Sequence, residues 1–264
     1  MLRADLSEST RGAMLRAPHG RFTASLLFCI LIALCSGITA CRAATNDSFA
    51  QGTAAYRAGQ FVEATDAFEN AAAQHPGSGT LVNLGLAEWR RGHAGPAILS
   101  WERARWVAPF DARAAENLRF ARQAVQVDAP QLKWFEAVST WLPANAWLWL
   151  ASGGLWLAVG MLLLPGVFNW RKRGWHQALA AGGLCLFLLS LTANVGVINR
   201  TNIGFVVEKN AHLLLTPTRT SEVTSTLTAG EAARRLRTQR NYYLIRTEYG
   251  TGWIERDQFE LVVP

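Results

Sequence analysis

Residue types that commonly act as catalysts or metal ligands are present in this 264-residue chain, but they are dispersed along it. The five histidines fall in five different segments, at positions 19, 75, 93, 176 and 212. Zinc sites and general-base catalysis need such side chains at characteristic spacings, with carboxylates or further ligands nearby, and none of these spacings occurs. No glycine-rich phosphate-binding loop is found either. We therefore predict a protein that is not an enzyme and that uses no metal ion and no cofactor.

The four cysteines form neither a metal site nor a disulfide framework. Cys29 and Cys35 lie in an N-terminal apolar run, Cys41 follows that run, and Cys185 lies in a later apolar run. None of these segments has the composition of a domain that folds in water. The cysteines therefore indicate membrane segments rather than a redox or metal centre.

The balance of apolar and charged residues is typical of a membrane protein. Half of the residues are apolar and 17% are charged. Much of the net charge of +7 lies outside the segments that would fold in water, in the N-terminal flank and in the sequence "NWRKRGWH" at 169–176. Because no folded segment has a basic face for phosphates, we predict no binding to nucleic acid.

Two stretches, 146–168 and 178–198, are 23 and 21 residues long and contain no Asp, Glu, Lys, Arg or His. At a rise of 1.5 Å per residue, each is long enough as a helix to cross a hydrocarbon core of about 30 Å. Two buried core helices are the alternative, but the rest of the chain is too short to enclose them. We predict a transmembrane hairpin with small residues at the helix contact, namely Gly154, Ala158, Ala178 and Gly182.

The short loop between these stretches, 169–177, contains Arg171, Lys172 and Arg173 and no acidic residue. Short cationic loops remain on the cytoplasmic side of a membrane. We therefore predict a multi-pass protein of the bacterial inner (cytoplasmic) membrane. The segments on either side of the hairpin are then both on the periplasmic, extracytoplasmic side.

Residues 1–44 have the layout of a secretory signal, with a basic flank, a short apolar run and small residues after it. An uncleaved N-terminal anchor is the alternative, and Met14 is a second candidate for the start of the chain. The sequence Ile38-Thr39-Ala40-Cys41 resembles a bacterial lipobox, which would make Cys41 a lipidated residue. Ordinary cleavage near Ala43 fits equally well. In each case the segment that follows is exported.

Residues 45–125 contain a repeat with a step of 33 residues. The matched pairs are Gly52 with Gly85, Tyr56 with Trp89, Gly59 with Gly92, Ala64 with Ala97, Phe68 with Trp101, Ala71 with Ala104, and Pro76 with Pro109. This period and these residue types resemble the tetratricopeptide repeat, a helix-turn-helix unit. Small residues let the helices approach, and Phe68 and Trp101 fill the space between them. A third, incomplete unit begins at Asp111, a candidate helix N-cap.

In tetratricopeptide proteins the first helix of each unit lines a concave groove. The resemblance gives this partner-binding role to Phe49, Tyr56, Arg57, Val82, Asn83, Leu86, Trp89, Arg90, Arg113 and Asn117. Asn83 matches a position at which some family members hold a peptide carboxylate, and Arg113 and Asn117 would assist. The first unit departs from this pattern, with Ala50 at the equivalent position. Packing between helices is the alternative role for these residues.

Residues 126–145 link the array to the first apolar stretch. The sequence "PQLKWFEAVSTWLP" has apolar residues at helical spacing between two prolines, namely Trp134, Phe135, Val138, Trp141 and Leu142. We predict an amphipathic helix that either lies flat on the outer leaflet or packs on the array.

Residues 201–264 consist of short strand-like pieces separated by turn residues, which predicts a small all-β barrel. The loop around Pro217, the turn at 227–230 and the glycine hairpin at 250–253 resemble the bacterial SH3-like domain. Such domains bind extended peptides in aromatic grooves, and bacterial members are often associated with cell-wall material. The candidate surface residues are Tyr242, Tyr243, Tyr249 and Trp253, the last with a core position as its alternative.

The fold class is therefore a multidomain membrane protein: an all-α tetratricopeptide array, a two-helix transmembrane hairpin and a small all-β SH3-like barrel. This order resembles the aerotolerance Bat proteins of the BatE type. Members are encoded beside membrane-anchored von Willebrand A-domain proteins and a MoxR-type ATPase, and the resemblance implies a role in envelope stress tolerance. We expect a non-enzymatic adaptor for other membrane or envelope proteins. The alternative is a module that senses or anchors to peptidoglycan.

Overall fold

A computed structural model of the chain describes residues 47–167 and 174–263. The predicted signal or anchor, the lipidation candidate Cys41, and the loop cations Arg171, Lys172 and Arg173 lie outside the described residues. Helices occupy the first part of the described chain and an antiparallel sheet the last part. The predicted combination of a helical part and a β part is therefore confirmed.

Five helices form the N-terminal array. The described part of α1 covers 47–57, and the others are α2 (Phe61–Gln74), α3 (Ser78–Arg90), α4 (Ala94–Val107) and α5 (Ala112–Val125). Tight turns at Gly59 and Gly92 join α1 to α2 and α3 to α4, with φ of 77° and 83°. Because a left-handed backbone is strained for residues with a Cβ, glycine recurs at the same point of both units. The predicted helical repeats are present.

The matched small and large residues pack against each other between the helices of each unit. A Cβ at Gly52 would lie 2.7 Å from the ring of Phe68, and one at Gly85 would lie 2.4 Å from the indole nitrogen of Trp101. Both aromatic side chains are 1% exposed. Truncating a core aromatic of this kind to alanine typically costs about 3–5 kcal/mol. The two glycine–aromatic pairs therefore hold the repeat units together.

Asp111 caps α5, as predicted. Its Oδ1 accepts a hydrogen bond from the backbone N–H of Arg113 at 3.1 Å, and Ser78 Oγ donates to Oδ2 at 2.5 Å. The hydrogen bonds from the Arg113 side chain and from Ser78 lower the pKa of Asp111 to about 2. The cap thus joins the start of α5 to the start of α3, one unit earlier.

The linker contains a helix of five residues, α6 (Trp134–Val138), which is shorter than the predicted pattern from Trp134 to Leu142. The backbone N–H of Lys133 donates to Glu136 Oε2 at 2.9 Å at the start of α6. The chain then turns at Ser139, whose hydroxyl donates to the carbonyl of Glu136 at 2.6 Å. The linker packs against α8, where a Cβ at Gly196 would lie 2.3 Å from the carbonyl oxygen of Phe135.

Two long helices follow, α7 (Ala144–Val167) and α8 (Gly174–Arg200), of 24 and 27 residues. They pack antiparallel, and a Cβ at Gly183 would lie 2.8 Å from both the nitrogen of Ala158 and the carbonyl oxygen of Gly154. The predicted contact through the small residues of α7 is therefore confirmed, because side chains larger than these would separate the helices.

The contact face of α8 differs from the predicted one. Ala180 and Gly183 are buried against α7, whereas Ala178 and Gly182 are exposed. At 3.6 residues per turn, positions two apart lie on opposite sides of a helix. The spacing of the small residues alone did not distinguish these two faces.

The C-terminal residues form a seven-stranded antiparallel sheet in the order β3-β2-β6-β5-β4-β1-β7. The strands are β1 (Ile203–Val206), β2 (Ala211–Leu214), β3 (Val223–Leu227), β4 (Ala232–Gln239), β5 (Tyr242–Thr247), β6 (Gly250–Glu255) and β7 (Phe259–Leu261). Their inner faces bury a core that includes Val206, Leu213, Ile245, Ile254 and Phe259. The predicted β domain is therefore present.

The array and the β domain share one apolar core. Residues of the array in this core include Leu81, Ile98, Trp101 and Leu118, and those of the β domain are Ile203, Phe205 and Val262. A Cβ at Gly95 in α4 would lie 2.5 Å from the carbonyl oxygen of Val206, so the two modules approach at backbone distance. They are joined by packing and not only by the chain between them.

Candidate partner-binding surface

The ten residues predicted to line a groove lie on α1, α3 and α5. Arg57, Arg90 and Arg113 are exposed, and Phe49, Tyr56, Asn83, Leu86, Trp89 and Asn117 are partly buried. Val82 is 2% exposed, and its carbonyl accepts a hydrogen bond from Trp101 Nε1 at 3.1 Å. Val82 is therefore a core residue, which corrects its predicted place in the groove.

The first cluster on this side of the array, the α1–α3 cluster, consists of Tyr56, Phe61 and Arg90. The rings of Tyr56 and Phe61 meet edge to face with centroids 5.4 Å apart. The guanidinium carbon of Arg90 lies 5.9 Å from the centroid of Phe61, within the range of a cation–π contact. Phe61 was not among the predicted residues. It is the first residue of α2 and lies two residues after Gly59. Its position next to this tight turn could have indicated that its ring lies near α1.

The second cluster, the α3–α5 cluster, consists of Trp89 and Phe120. Their rings meet edge to face with centroids 5.6 Å apart, and Trp89 also lies 6.1 Å from the buried Trp101. Phe120 is 59% exposed although it is a large aromatic residue. It was not predicted, but it lies three residues after Asn117 and so on the same side of α5. The cluster therefore contains one partly buried ring, that of Trp89, and one exposed ring, that of Phe120.

One of the residues predicted to bind a peptide carboxylate, Arg113, already forms an ion pair within the protein. The guanidinium of Arg113 donates from Nη2 to Asp111 Oδ2 at 3.1 Å and from Nε to Oδ1 at 3.3 Å. Arg113 is thus already paired with the cap of its own helix. Among the described residues, Arg57 and Arg90 form no ion pair, and Arg90 makes a cation–π contact with the Phe61 ring. These two exposed cations directly follow Tyr56 and Trp89 in the sequence.

Two of the four aromatic residues predicted for the surface of the β domain are buried. Tyr242 and Tyr243 are 9% and 8% exposed. The hydroxyl of Tyr242 donates to Glu255 Oε1 at 3.2 Å, and that of Tyr243 accepts from Arg256 Nε at 3.1 Å. Tyr243 belongs to the core of the sheet. The prediction of these two tyrosines as an open surface is wrong, because both side chains are largely buried.

The other two residues retain some exposure. Tyr249 is 73% exposed and follows β5 in the hairpin to β6. Trp253 is partly buried in β6, where its neighbours in register are Leu214 and Leu244. These two residues are on different elements, and we find no aromatic groove between them.

The helices α7 and α8 expose most of their apolar side chains. Only 17% of the most apolar window of the first and 22% of that of the second are buried. The exposed leucines include Leu148, Leu155, Leu162, Leu163, Leu184, Leu188, Leu189 and Leu191. A core helix of a soluble domain would be mostly buried. By length and composition, both helices are able to cross a membrane.

A buried ion pair joins the linker to the β domain. Glu136 is 0% exposed, and its two carboxylate oxygens accept hydrogen bonds from Nη1 and Nη2 of Arg234, each at 2.9 Å. Arg234 in β4 also donates to the carbonyl of Asn199 near the end of α8, at 3.2 Å. This paired geometry gives both charges strong hydrogen bonds where they are removed from water. One arginine therefore connects the linker, the hairpin and the sheet.

The end of the hairpin that contains the start of α7 and the end of α8 is also tied to the array. Ser139 in the linker accepts a hydrogen bond at its carbonyl from Trp147 Nε1 and another at its hydroxyl from Arg200 Nη1, both at 3.2 Å. The guanidinium carbon of Arg200 lies 4.6 Å from the ring centroid of Trp106 in α4. The array, the linker and the hairpin thus meet at the end of α8.

Within 47–167 and 174–263, no group of three or more histidine, cysteine or acidic side chains is arranged to hold a metal ion. Comparison of the chain with protein-family models and with curated proteins found no match. The function must therefore be inferred from the surfaces and contacts described above.

Proposed function

We propose that this protein is a non-enzymatic adaptor, anchored in the bacterial inner membrane by α7 and α8, that binds an envelope protein through the helical array. The observation that carries this proposal is the shared core of the array and the β domain. Because that unit is also tied to the outer end of the hairpin, the two aromatic clusters have a fixed position relative to α7 and α8. A flexible tether would not fix that position.

The anchoring is supported by dimensions and exposure. At 1.5 Å per residue, α7 and α8 extend about 36 and 40 Å, more than a hydrocarbon core of about 30 Å. Their exposed leucines would face lipid, which removes a large apolar surface from water. Their contact through Gly154, Ala158 and Gly183 is of the kind that membrane helices use.

The orientation follows from the connections of the hairpin. The array and linker precede the start of α7, and the β domain follows the end of α8, so both are on the same side of the proposed membrane. The residues that connect α7 to α8 along the chain include Arg171, Lys172 and Arg173. The positive-inside rule puts these residues in the cytoplasm and the two folded modules in the periplasm.

The chemistry of the two aromatic clusters indicates the kind of partner. Partly exposed rings next to the exposed cations Arg57 and Arg90 suit a peptide segment with apolar anchors and acidic residues. Proteins of the Bat type are encoded beside membrane-anchored von Willebrand A-domain proteins, and the resemblance to that family makes these the first candidate partners. We place the protein with them in a MoxR-type stress-tolerance system.

The test begins with full-length protein in living cells. A photo-crosslinking amino acid is placed at the partly exposed Leu86, one helical turn before Arg90 on α3. In a matched strain it is placed at Phe110, which is 77% exposed but takes part in neither cluster. We expect crosslinks to a von Willebrand A-domain protein from the first position and not from the second. Equal crosslinking from both positions, or none from Leu86, would contradict the proposed surface.

A binding measurement with the captured partner tests the clusters directly. Because Phe120 is open to solvent, Phe120→Ala should leave the array folded and weaken binding by about tenfold or more, the effect expected of an aromatic anchor. Phe110→Ala is the control and should change the affinity less than twofold. If Phe120→Ala binds as tightly as the control, the α3–α5 cluster is not the binding surface. Recovery of the partner only with isolated cell-wall sacculi would favour the peptidoglycan alternative.

A further inference from the structure

A cavity of about 150 Å³ lies where the array, the linker, the end of α8 and the β domain meet. It has room for several water molecules. Side chains from four parts of the chain line it, including Glu102, Arg105, Arg122, Thr140, Arg200 and Phe205. The cavity is distinct from the two aromatic clusters and has no part in the proposed partner binding.

The lining of this cavity is strongly cationic. Three guanidinium groups, those of Arg105, Arg122 and Arg200, are opposed by one carboxylate, that of Glu102. Glu102 is paired with Arg122, and both side chains are 13% exposed. The nearby Glu136 is paired with Arg234, and Glu260 is paired with Arg103. These carboxylates therefore do not neutralise Arg105 and Arg200, and two positive charges remain in excess.

Two hydrogen-bond donors in the lining have no partner among the described residues. The Nε atoms of Arg105 and Arg122 are buried, and neither donates to a protein acceptor there. The guanidinium of Arg200 donates to the hydroxyl of Ser139 and lies over the ring of Trp106, and it forms no ion pair with a described residue. Buried charged donors are normally paired and hydrogen-bonded, because their removal from water is otherwise unfavourable. The arrangement therefore lacks an acceptor that carries negative charge.

A phosphate group has the chemistry that this lining lacks. Its oxygens accept several hydrogen bonds at once, its charge offsets the excess of two cations, and arginine forks match its geometry. We propose that this cavity binds a phosphate group, supplied by a phospholipid headgroup or by free phosphate. A bound phosphate would join α4, α5 and the end of α8, and so hold the array against the hairpin.

The position of the cavity favours a lipid as the source. If the hairpin spans a membrane as proposed above, α8 is about 10 Å longer than the hydrocarbon core, and Arg200 at its end lies at headgroup level. Trp134 and Trp141 in the linker are 71% and 65% exposed, as in the aromatic belts of membrane interfaces. The phosphate site itself does not depend on that span.

The first experiment uses inorganic phosphate as the probe. Full-length protein in detergent, freed of lipid, is titrated with phosphate while its melting temperature is measured, with chloride at equal ionic strength as the reference. At a hundredfold excess over Kd, a ligand of the folded state should raise the melting temperature by roughly 5–10 °C. Arg105→Gln should reduce this rise at least threefold. Arg119→Gln removes the same charge from an exposed position on α5 and should leave it unchanged.

The melting temperature of Arg105→Gln without phosphate distinguishes an arginine that binds phosphate from one that is needed only for packing. Because Arg105 adds to the repulsion in the unoccupied cavity, Arg105→Gln should melt at or above the temperature of the unaltered protein when phosphate is absent. An arginine needed only for packing would lower it when replaced. If Arg105→Gln fails to fold, Arg105→Lys replaces it in the test. This variant keeps the positive charge but loses the planar guanidinium, so it should bind phosphate more weakly than the unaltered protein.

A second experiment distinguishes the two sources of phosphate. The protein is extracted from vesicles of phosphatidylglycerol and phosphatidylcholine, and retained lipid is detected by native mass spectrometry. Retained phospholipid that is lost in Arg105→Gln and kept in Arg119→Gln assigns the site to a headgroup. A response to inorganic phosphate without retained lipid assigns it to a free phosphate. No response in either experiment, or the same response in both variants, overturns the proposal and leaves the crosslinking test of the array unaffected.

Discussion

Glu136→Gln removes one charge from the buried pair that joins the linker to the β domain. Removing one partner of a buried ion pair typically costs about 3–5 kcal/mol, because the other charge is left uncompensated. Here Arg234 is 25% exposed and keeps its hydrogen bond to the carbonyl of Asn199. Glutamine also retains an oxygen acceptor. We therefore expect the variant to lose about 2–3 kcal/mol of unfolding free energy, below the full penalty.

The change is measured by thermal unfolding of the full-length protein in one detergent, followed by near-ultraviolet circular dichroism. For a protein of this size, each kcal/mol shifts the melting temperature by about 2–4 °C, so Glu136→Gln should melt roughly 5–10 °C lower. The matched control is Glu260→Gln, which breaks the ion pair with Arg103. Because Glu260 is 51% exposed, we expect this control to cost less than about 1 kcal/mol.

The difference in melting temperature between the two variants shows whether burial strengthens the Glu136–Arg234 pair. If Glu136→Gln and Glu260→Gln shift the melting temperature equally, burial does not make the Glu136–Arg234 pair special. If Glu136→Gln melts like the unaltered protein, the linker is not held on the β domain by this pair. Adding Arg234→Gln to Glu136→Gln should restore part of the loss, because it removes the charge left without a partner.

Two further predictions concern the array. Gly85→Ala should destabilise the array by about 1–3 kcal/mol, because its Cβ would meet the Trp101 indole. Gly79→Ala has open space at its Cβ and should be neutral or slightly stabilising. Helical circular dichroism during unfolding measures both changes. The pKa of Asp111 is lowered to about 2 by folding, so its stabilising effect is present above its ordinary value of 3.8 and lost as the pH falls towards 2. Asp111→Asn should therefore weaken the decline in stability over that pH range, and an unchanged decline would contradict the cap.

The repeat and the secondary-structure types could be predicted from local residue patterns. Gly52 and Gly85 stand 33 residues apart, as do Phe68 and Trp101, and each glycine packs on the aromatic of its own unit. Asp111 caps its helix through atoms only two residues away. Such features depend on spacing along one or two helices, so the sequence contains them.

The surfaces and the junction could not be predicted in this way, because they depend on how the modules dock. The alternation of residues in β5 indicates two faces, but it does not show which face packs against the core of the β domain. Tyr243 is on the face that does. Glu136 and Arg234 pair across 98 residues. The helix in the linker is short because Ser139 turns the chain and bonds to the hairpin instead.

In the proposed function, the array and the β domain are held together on the periplasmic face of the inner membrane. Labelling of single cysteines in a cysteine-free background, with a membrane-impermeant maleimide on intact spheroplasts, tests it most directly. We expect Gln123→Cys in the array and Lys209→Cys in the β domain to be labelled in intact spheroplasts, and Lys172→Cys only after permeabilisation. Protection of the first two together with labelling of the third would contradict the orientation, and labelling of only one module would contradict their shared position.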